Sequence, residues 1–168
     1  MLDLAPLPSS RPKFLVDGML GSLVVKLRIL GYDTLYGKDK SDEDLIQESL
    51  MEVRILLTSD KELFLRAKKR SANSLLISAK SEEGRIVELC KKVGIKRLET
   101  VRMPLCSVCN SKLYDTSEKD DLGRLIFKCS LCGKLYWVGS HWKNLNCLFR
   151  SVNRELRRED SSYSKAKK

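Results

Sequence analysis

Residues 13–31 decide the fold class, and they are KFLVDGMLGSLVVKLRILG. The first part, Phe14–Val16, is a short apolar run that ends at Asp17, which is typical of a strand buried in a sheet. After Gly18, leucines and valines recur at helical spacing until Gly31, which predicts a helix that ends at that glycine. The stretch therefore predicts a strand followed by a helix.

The same alternation continues to about residue 94. Further apolar runs predict strands at 32–36, 54–58 and 74–78, and helical patterns with capping residues begin at Ser41, Ser59 and Ser81. The predicted order is βαβαβαβα. Strands that alternate with helices imply a mostly parallel sheet covered on both faces, so the fold class is α/β over residues 13–100.

Composition is that of a soluble globular protein, with 42% hydrophobic and 32% charged residues. Apolar runs such as Ile55–Leu57 are far shorter than the roughly 18 residues that a membrane span needs. The N-terminus has no basic-then-apolar signal region. We therefore expect a cytoplasmic protein with no membrane partner.

Positive charge is concentrated in the last third of the chain. The net charge is +10, and residues 101–168 contain 14 basic and 7 acidic residues against 18 and 15 in residues 1–100. Such a segment favours binding to a polyanion, because neutralising phosphates releases condensed counterions. A merely soluble basic protein has the same charge, so charge alone does not decide between them.

Four of the six cysteines form two closely spaced pairs, Cys106-x-x-Cys109 and Cys129-x-x-Cys132, separated by 19 residues. This spacing predicts a structural zinc site in which four thiolates complete a tetrahedral shell. Two disulfides are the alternative, but they require an oxidising compartment. Cys90 lies on an apolar helical face and is expected to pack, and Cys147 has no assigned role.

Acidic residues follow the predicted strands at the edge where parallel sheets place functional crevices. Asp17 ends the first strand, Asp60 follows the strand at 54–58, and Asp42–Asp44 begins a helix. Converging carboxylates need a cation, and their oxygens suit Mg²⁺ or Mn²⁺. Helix N-caps are the alternative interpretation of Asp42 and Asp60.

Together these segments resemble a known ribonuclease family. The stretches at 14–21, 27–34, 41–45 and 54–60, followed by Cys129–Trp142 with its Tyr-Trp and Gly-Ser-His-Trp, are similar to the Mut-seven C-terminal RNase domain family. The resemblance covers residues 13–142. It implies a PIN-like three-layer α/β domain, a small β-rich zinc ribbon over residues 101–142, and endonucleolytic cleavage of RNA.

The resemblance also implies site residues. The family's acidic positions fall on Asp17, Asp42 and Asp60, with Asp33 and Asp44 as further candidates, and these would hold catalytic Mg²⁺ or Mn²⁺. Arg28 lies in a matched motif and is expected to contact phosphate or hold a carboxylate.

Candidates for RNA contact lie in the ribbon and after it. They are basic or aromatic residues: Lys128, Lys134, His141, Trp142, Lys143, Arg150 and Arg154. Phe127, Tyr136 and Trp137 are expected either to stack on bases or to pack the ribbon, and packing is favoured for Trp137.

Both ends of the chain have polar or proline-rich sequences. Leu148, Val152 and Leu156 predict a basic helix from Lys143 to about Arg158, within a C-terminal segment of residues 143–168. Residues 1–12 and 161–168 are expected to be disordered.

Two functions from different classes remain open. One is a metal-dependent endoribonuclease. The other is a non-catalytic RNA-binding or ribosome-associated protein that uses the PIN-like fold as a scaffold. A protein that reads double-stranded DNA is a distant third, because the sequence has no recognition helix with base-reading residues.

Overall fold

The structure is a computed structural model that describes residues 11–99, 104–137 and 139–165, without the side chains of 140, 141 and 159–165. The first part alternates strands and helices: β1 Phe14–Asp17, α1 Gly21–Ile29, β2 Thr34–Gly37, α2 Asp42–Met51, β3 Ile55–Thr58, α3 Lys61–Lys69, β4 Ser74–Leu76 and α4 Glu82–Val93. The second part contains β5 Leu113–Lys119, β6 Leu125–Cys129, β7 Leu135–Trp137 and α5 Ser140–Lys165.

The N-terminal strands form a parallel sheet in the order β2-β1-β3-β4. In β1, Phe14, Leu15 and Val16 are completely buried, because helices cover both faces of the sheet. The predicted βαβαβαβα order and the α/β fold class are confirmed. Strands β5, β6 and β7 form a separate antiparallel sheet beside the cysteine pairs, as a zinc ribbon requires.

Local sequence explains where the helices begin and end. Ser41 and Asp44 form a reciprocal capping box at the start of α2, and Asp60 and Ser81 cap α3 and α4. Gly94 ends α4 with a left-handed backbone, φ 82°, which a residue without Cβ adopts at little cost.

Apolar side chains pack on both faces of the parallel sheet. On one face, Leu45 and Ile46 of α2 pack with Leu63 and Ala67 of α3. On the other face, α1 and α4 pack with α5. These helices and the sheet between them make the three layers that the resemblance implies.

Helix α5 is an integral part of the α/β domain. Its residues Leu145, Phe149, Val152 and Leu156 are buried in the core that α1 and α4 share. Asn153 also accepts from the backbone N–H of Leu98 at 2.7 Å and donates to its carbonyl at 3.0 Å. The predicted C-terminal segment is therefore a core helix on its apolar side, and only its opposite side is exposed.

The structure corrects both predicted chain ends where it describes them. Helix α5 extends to Lys165, beyond the predicted end near Arg158, because no proline or glycine interrupts the segment. At the other end, Arg11 donates to the carbonyl of Leu30 at 2.9 Å and lies over the Tyr32 ring. Residues 1–10 and 166–168 of the predicted disordered ends lie outside the described residues.

Arg28 joins the zinc ribbon to the α/β domain. This residue of α1 is buried, and its guanidinium donates to the carbonyls of Thr34 at 2.9 Å, Ser107 at 2.8 Å and Val108 at 2.9 Å. Its own carbonyl accepts from the N–H of Leu105 at 2.9 Å. Arg28 therefore holds the first cysteine pair against α1, and it is not available to phosphate.

A second link joins the same surfaces through Asp33. Asp33 accepts from Arg54 at 2.8 Å and from the Asn110 side chain at 2.7 Å, and Asn110 accepts from the N–H of Thr34 at 3.0 Å. Burial alone would raise the pKa of the Asp33 carboxyl, but the hydrogen bonds from Arg54 and Asn110 lower it below its ordinary value. The link is therefore formed with an ionised Asp33 at neutral pH.

Replacing Arg28 by methionine is expected to lower the free energy of unfolding by about 3 kcal/mol, because buried carbonyls lose a charged donor. Urea unfolding measures the change. The control is Arg158→Met, since Arg158 is 71% exposed and lies 3.7 Å from Glu155, a pair that contributes less than about 1 kcal/mol. Equal effects of the two substitutions would contradict the role of Arg28 in joining the ribbon.

Within the described part of the chain, none of the helices combines the length and apolar character that crossing a bilayer requires.

Candidate active site and metal centre

The four paired cysteines lie together at one end of the ribbon. Their sulfur atoms are all within 4.8 Å of one another. The Sγ atoms of Cys106 and Cys132 are 3.6 Å apart, and those of Cys109 and Cys129 are 3.3 Å apart. These distances exceed the roughly 2.05 Å of a disulfide and approach the roughly 3.8 Å between sulfurs of a tetrahedral zinc site. The cysteines are thus positioned to bind a metal, consistent with structural zinc.

Electrostatics at the four cysteines favour a cation. The backbone N–H of Ser111 is the main reason that the pKa of Cys109 is lowered to about 6. For Cys132, the N–H of Lys134 favours the thiolate, but burial and the neighbouring sulfurs raise its pKa to about 12. Four adjacent thiols cannot all ionise unless a positive charge compensates them, and a divalent ion provides that charge.

Aromatic residues of the ribbon have two different roles. Phe127 and Tyr136 pack against the buried cysteines, and the Tyr136 hydroxyl lies 3.0 Å from the Cys106 sulfur. Burial and Cys106 raise the pKa of Tyr136 to about 12, so its hydroxyl remains a donor. Trp137, in contrast, is 54% exposed. The predicted packing of Trp137 in the ribbon core is therefore wrong, and its ring lies instead beside the Arg124 guanidinium.

At the carboxyl ends of β1 and β3, the Thr58 hydroxyl contacts the carboxylate of Asp17 and the backbone N–H of Asp60. Thr58 donates from Oγ1 to Oδ2 of Asp17 at 2.7 Å, and Oγ1 of Thr58 also accepts from the backbone N–H of Asp60 at 2.9 Å. Asp60 also caps α3, where its Oδ1 accepts from the N–H groups of Glu62 and Leu63 at 2.7 and 3.3 Å. The N-cap interpretation of Asp60 is thus correct for one of its carboxylate oxygens.

Asp42 and Asp44 have partners of their own at the start of α2. Asp42 accepts from Arg66 of α3 at 2.8 Å, and Asp44 accepts from the Ser41 hydroxyl at 2.6 Å. Among the described residues, the four cysteines are the one group in which three or more Cys, His or acidic ligand atoms lie within 4.8 Å of one another. The structure therefore brings Asp17 and Asp60 to Thr58 without closing a three-carboxylate cluster.

Asp33 lies at the opposite edge of the sheet. It immediately precedes β2, whose first residue, Thr34, is paired with Phe14 at the start of β1. Asp17, at the end of β1, is paired with Gly37 at the end of β2. Asp33 and Asp17 thus lie at different edges, and the structure does not bring Asp33 to the other candidate acids.

Sequence reasoning missed two residues near Asp17, at the carboxyl ends of the strands. Thr58 is completely buried and orients Asp17, and its signal was a hydroxyl at the end of an otherwise apolar strand. Met19 is 66% exposed next to Asp17, and its sulfur lies 3.8 Å from the Ser59 hydroxyl. An exposed methionine has no sequence signal, since apolar residues also occur throughout the core.

Most of the predicted RNA contacts are on the surface. Of the predicted RNA contacts whose side chains the structure describes, the exposed ones are Lys128, Lys134, Lys143, Arg150 and Arg154. Trp142 is partly buried, and the side chain of His141 lies outside the part of the chain that the structure describes. Arg28, buried between domains, is the exception to this surface placement.

Comparison with known proteins identifies the family. Neither the curated proteins nor the solved structures contain a match. The family model described as the Mut7-C RNAse domain matches residues 12–149, which include the parallel sheet, the acidic edge and all four paired cysteines. The chain therefore belongs to the Mut7-C RNAse domain family.

Proposed function

We propose that this chain is a Mg²⁺- or Mn²⁺-dependent endoribonuclease that hydrolyses RNA. The observation that carries the proposal is the hydrogen-bonded arrangement of Asp17, Thr58 and Asp60 at the carboxyl edge of the sheet, in a member of an RNase domain family. This edge is where parallel α/β sheets place their functional groups.

The residues fit a hard divalent cation. Asp17 and Asp60 offer carboxylate oxygens, and Mg²⁺ in proteins is commonly held by one or two carboxylates together with water and substrate phosphate. When bound, such an ion lowers the pKa of a water molecule and stabilises charge that develops on the phosphate. Asp42 would join the site if its carboxylate released Arg66 and bound the ion, either directly or through a water molecule.

Hydrogen bonds from one side chain and from the backbone orient these carboxylates. The Thr58 hydroxyl fixes Oδ2 of Asp17, and the N–H groups of Glu62 and Leu63 fix Oδ1 of Asp60, which leaves Oδ2 of Asp60 for a ligand. Positions held in this way need little rearrangement when substrate binds. Asp33 is not included in the proposed site because it pairs with Arg54 at the other end of the sheet, and Asp44 is not included because it forms the capping box with Ser41.

RNA would be held by the exposed basic residues of the ribbon and of α5. Arg150 and Arg154 lie on the exposed side of α5, whose other side is in the core. Such cations neutralise phosphates of the RNA backbone, which releases condensed counterions. The Cys₄ centre is typical of a reducing compartment, which supports a cytoplasmic location.

Circular single-stranded RNA tests the proposal, because only an endonuclease opens it. Zinc-loaded protein is expected to linearise the circle when Mg²⁺ or Mn²⁺ is added, and to leave it intact when both are omitted. Omission is preferable to EDTA, since a chelator would also remove zinc from the cysteines. A circle that stays intact with either ion would contradict the proposal.

Non-catalytic RNA binding is the second candidate. It is favoured by the ion pair between Asp42 and Arg66, which occupies a carboxylate that a three-acid site would need. RNA that binds with unchanged affinity in the presence or absence of Mg²⁺, and is never cut, would support this candidate, including association with the ribosome or another ribonucleoprotein.

A further inference from the structure

A groove runs between the zinc ribbon and the α/β domain. It has a volume of about 550 Å³, within the range of roughly 300–1,000 Å³ that is usual for ligand sites. We call it the ribbon groove, and its walls include Val25 and Ile29 of α1, Phe127 and Trp137 of the ribbon, and Trp142 of α5. The proposed active site does not use it.

Aromatic side chains line the ribbon groove, and two cations lie at its margin. Arg124 also lines the groove, and its guanidinium carbon lies 5.6 Å from the centre of the Trp137 ring. Asp120 accepts from Nε of Arg124 at 2.6 Å, which holds the guanidinium in place. Lys134 is a second lining cation, 5.8 Å from the centre of the Tyr136 ring.

Gly139 keeps the space beside Trp137 open. A Cβ at this position would lie 3.3 Å from Nε1 of Trp137 and 3.4 Å from Nη1 of Arg124. The first distance is tighter than most Cβ contacts and the second is at the short limit of ordinary contact, so a larger side chain would press against the pair. The exposed indole and its neighbouring cation therefore remain accessible from the groove.

We propose that the ribbon groove binds single-stranded RNA, with an unstacked base against Trp137 and the flanking phosphates near Arg124 and Lys134. This inference rests on the proposed function, since it concerns the RNA that the same chain would cleave. Aromatic faces accept any unpaired base, and adjacent cations neutralise the backbone. An apolar peptide would use the aromatic walls but has no need of the cations.

The ribbon groove lies away from the carboxyl ends of β1 and β3, where Asp17 and Asp60 lie. Val25 is the middle residue of α1 and Ile29 its last, whereas the helix begins at Gly21, close after Asp17. Bases in paired RNA are stacked and cannot enter such a groove without opening the duplex. The groove would therefore select single-stranded RNA at a distance from the bond that is cut.

Binding is measured in the Asp17→Asn variant, so that RNA is not degraded, by fluorescence anisotropy of a labelled single-stranded oligouridylate. Trp137→Ala is expected to raise the Kd about tenfold, since stacking on one base is worth about that factor or more. Trp137→Phe keeps a ring and is expected to restore part of the affinity. Tyr114→Ala is the matched control, because Tyr114 is an exposed ribbon aromatic at 44% exposure that does not line the groove.

Further readouts report on the groove itself. The chain has 2 tryptophans, and Trp137 and Trp142 both line the groove, so RNA is expected to quench intrinsic tryptophan emission. Lys134→Gln is expected to lower the slope of log Kd against log salt concentration by about 0.7, the value for one phosphate contact on a single strand. A duplex of the same length is expected to bind more weakly. One zinc per chain in each variant shows that the ribbon is folded.

The outcomes separate this inference from the proposed nuclease. Cleavage of circular RNA together with an unchanged Kd in Trp137→Ala would overturn the proposed RNA binding in the groove and would support the proposed nuclease activity. A tenfold weaker Kd in Trp137→Ala without any cleavage by the unsubstituted chain would support the groove and contradict the nuclease. Weakening by Tyr114→Ala equal to that by Trp137→Ala would also overturn a specific role of the groove.

Discussion

Replacing Asp17 by asparagine is expected to reduce RNA cleavage by about 10³-fold while the chain stays folded and zinc-loaded. Asparagine keeps the size of the side chain and one carbonyl oxygen, so Thr58 still has an acceptor. What is lost is one of the negative charges of the proposed site, and with it part of the attraction for a divalent cation. The rate of opening of circular RNA, measured with saturating Mn²⁺, gives the size of the effect.

Asp121→Asn provides the matched control for Asp17→Asn, because Asp121 is exposed in the turn between β5 and β6. The Asp121→Asn variant is expected to cleave circular RNA at the same rate as the unsubstituted chain. Thr58→Val tests the positioning role, since valine fills the buried space but cannot donate to Asp17 or accept from Asp60. An Asp17→Asn variant that cuts as fast as the unsubstituted chain would exclude this edge of the sheet as the active site.

Loss of zinc is expected to have the largest effect on stability. Structural zinc contributes about 10–16 kcal/mol to the folding of small zinc peptides at neutral pH, well above the effect of any single hydrogen bond. The ribbon has a small core, in which Cys106, Leu113 and Cys129 are the buried members among the described residues. Without metal, the antiparallel sheet has little else to hold its two cysteine pairs together.

The effect of zinc is expected to reach the α/β domain as well. Arg28 donates to the carbonyls of Ser107 and Val108, which lie between the cysteines of the first pair. When that pair loses its metal, these acceptors no longer have a fixed position, and the buried guanidinium loses two of its partners. Unfolding of the ribbon therefore leaves an incompletely paired cation at the surface of α1.

Cys129→Ser measures both consequences. The variant is expected to bind no zinc by atomic absorption and to lose the cooperative thermal transition of the ribbon, and the remaining transition should move to lower temperature. The control is Cys147→Ser, because Cys147 is exposed and lies outside the cysteine cluster. A stable, cooperatively folding Cys129→Ser protein without metal would show that the ribbon does not depend on zinc.

Local signals in the sequence predicted much of the fold. Apolar runs such as Phe14–Val16 marked the strands, and Ser41 and Ser81 marked helix starts, because strand burial and capping depend on residues close in the chain. The spacing of the cysteine pairs predicted their clustering for the same reason, since each pair forms its own turn.

Contacts between distant residues were not predictable in this way. The family resemblance implied that Arg28 contacts phosphate or holds a carboxylate, but two of the carbonyls that it binds are 79 and 80 residues away. The sequence also could not show that Phe149 and Leu156 complete the core beside α1, or that Trp137 faces solvent. Each of these outcomes depends on which surfaces meet after the helices and the ribbon have packed.

The sequence by itself determined the order of strands and helices, the caps and the cysteine pairs, because short-range periodicity and spacing decide these features. Only the tertiary structure decided that the Thr58 hydroxyl contacts Asp17, that Asp33 lies at the other edge with Arg54, and that α5 belongs to the core. The physical reason is that a carboxylate or an apolar face acquires its role from the partner that packing places next to it.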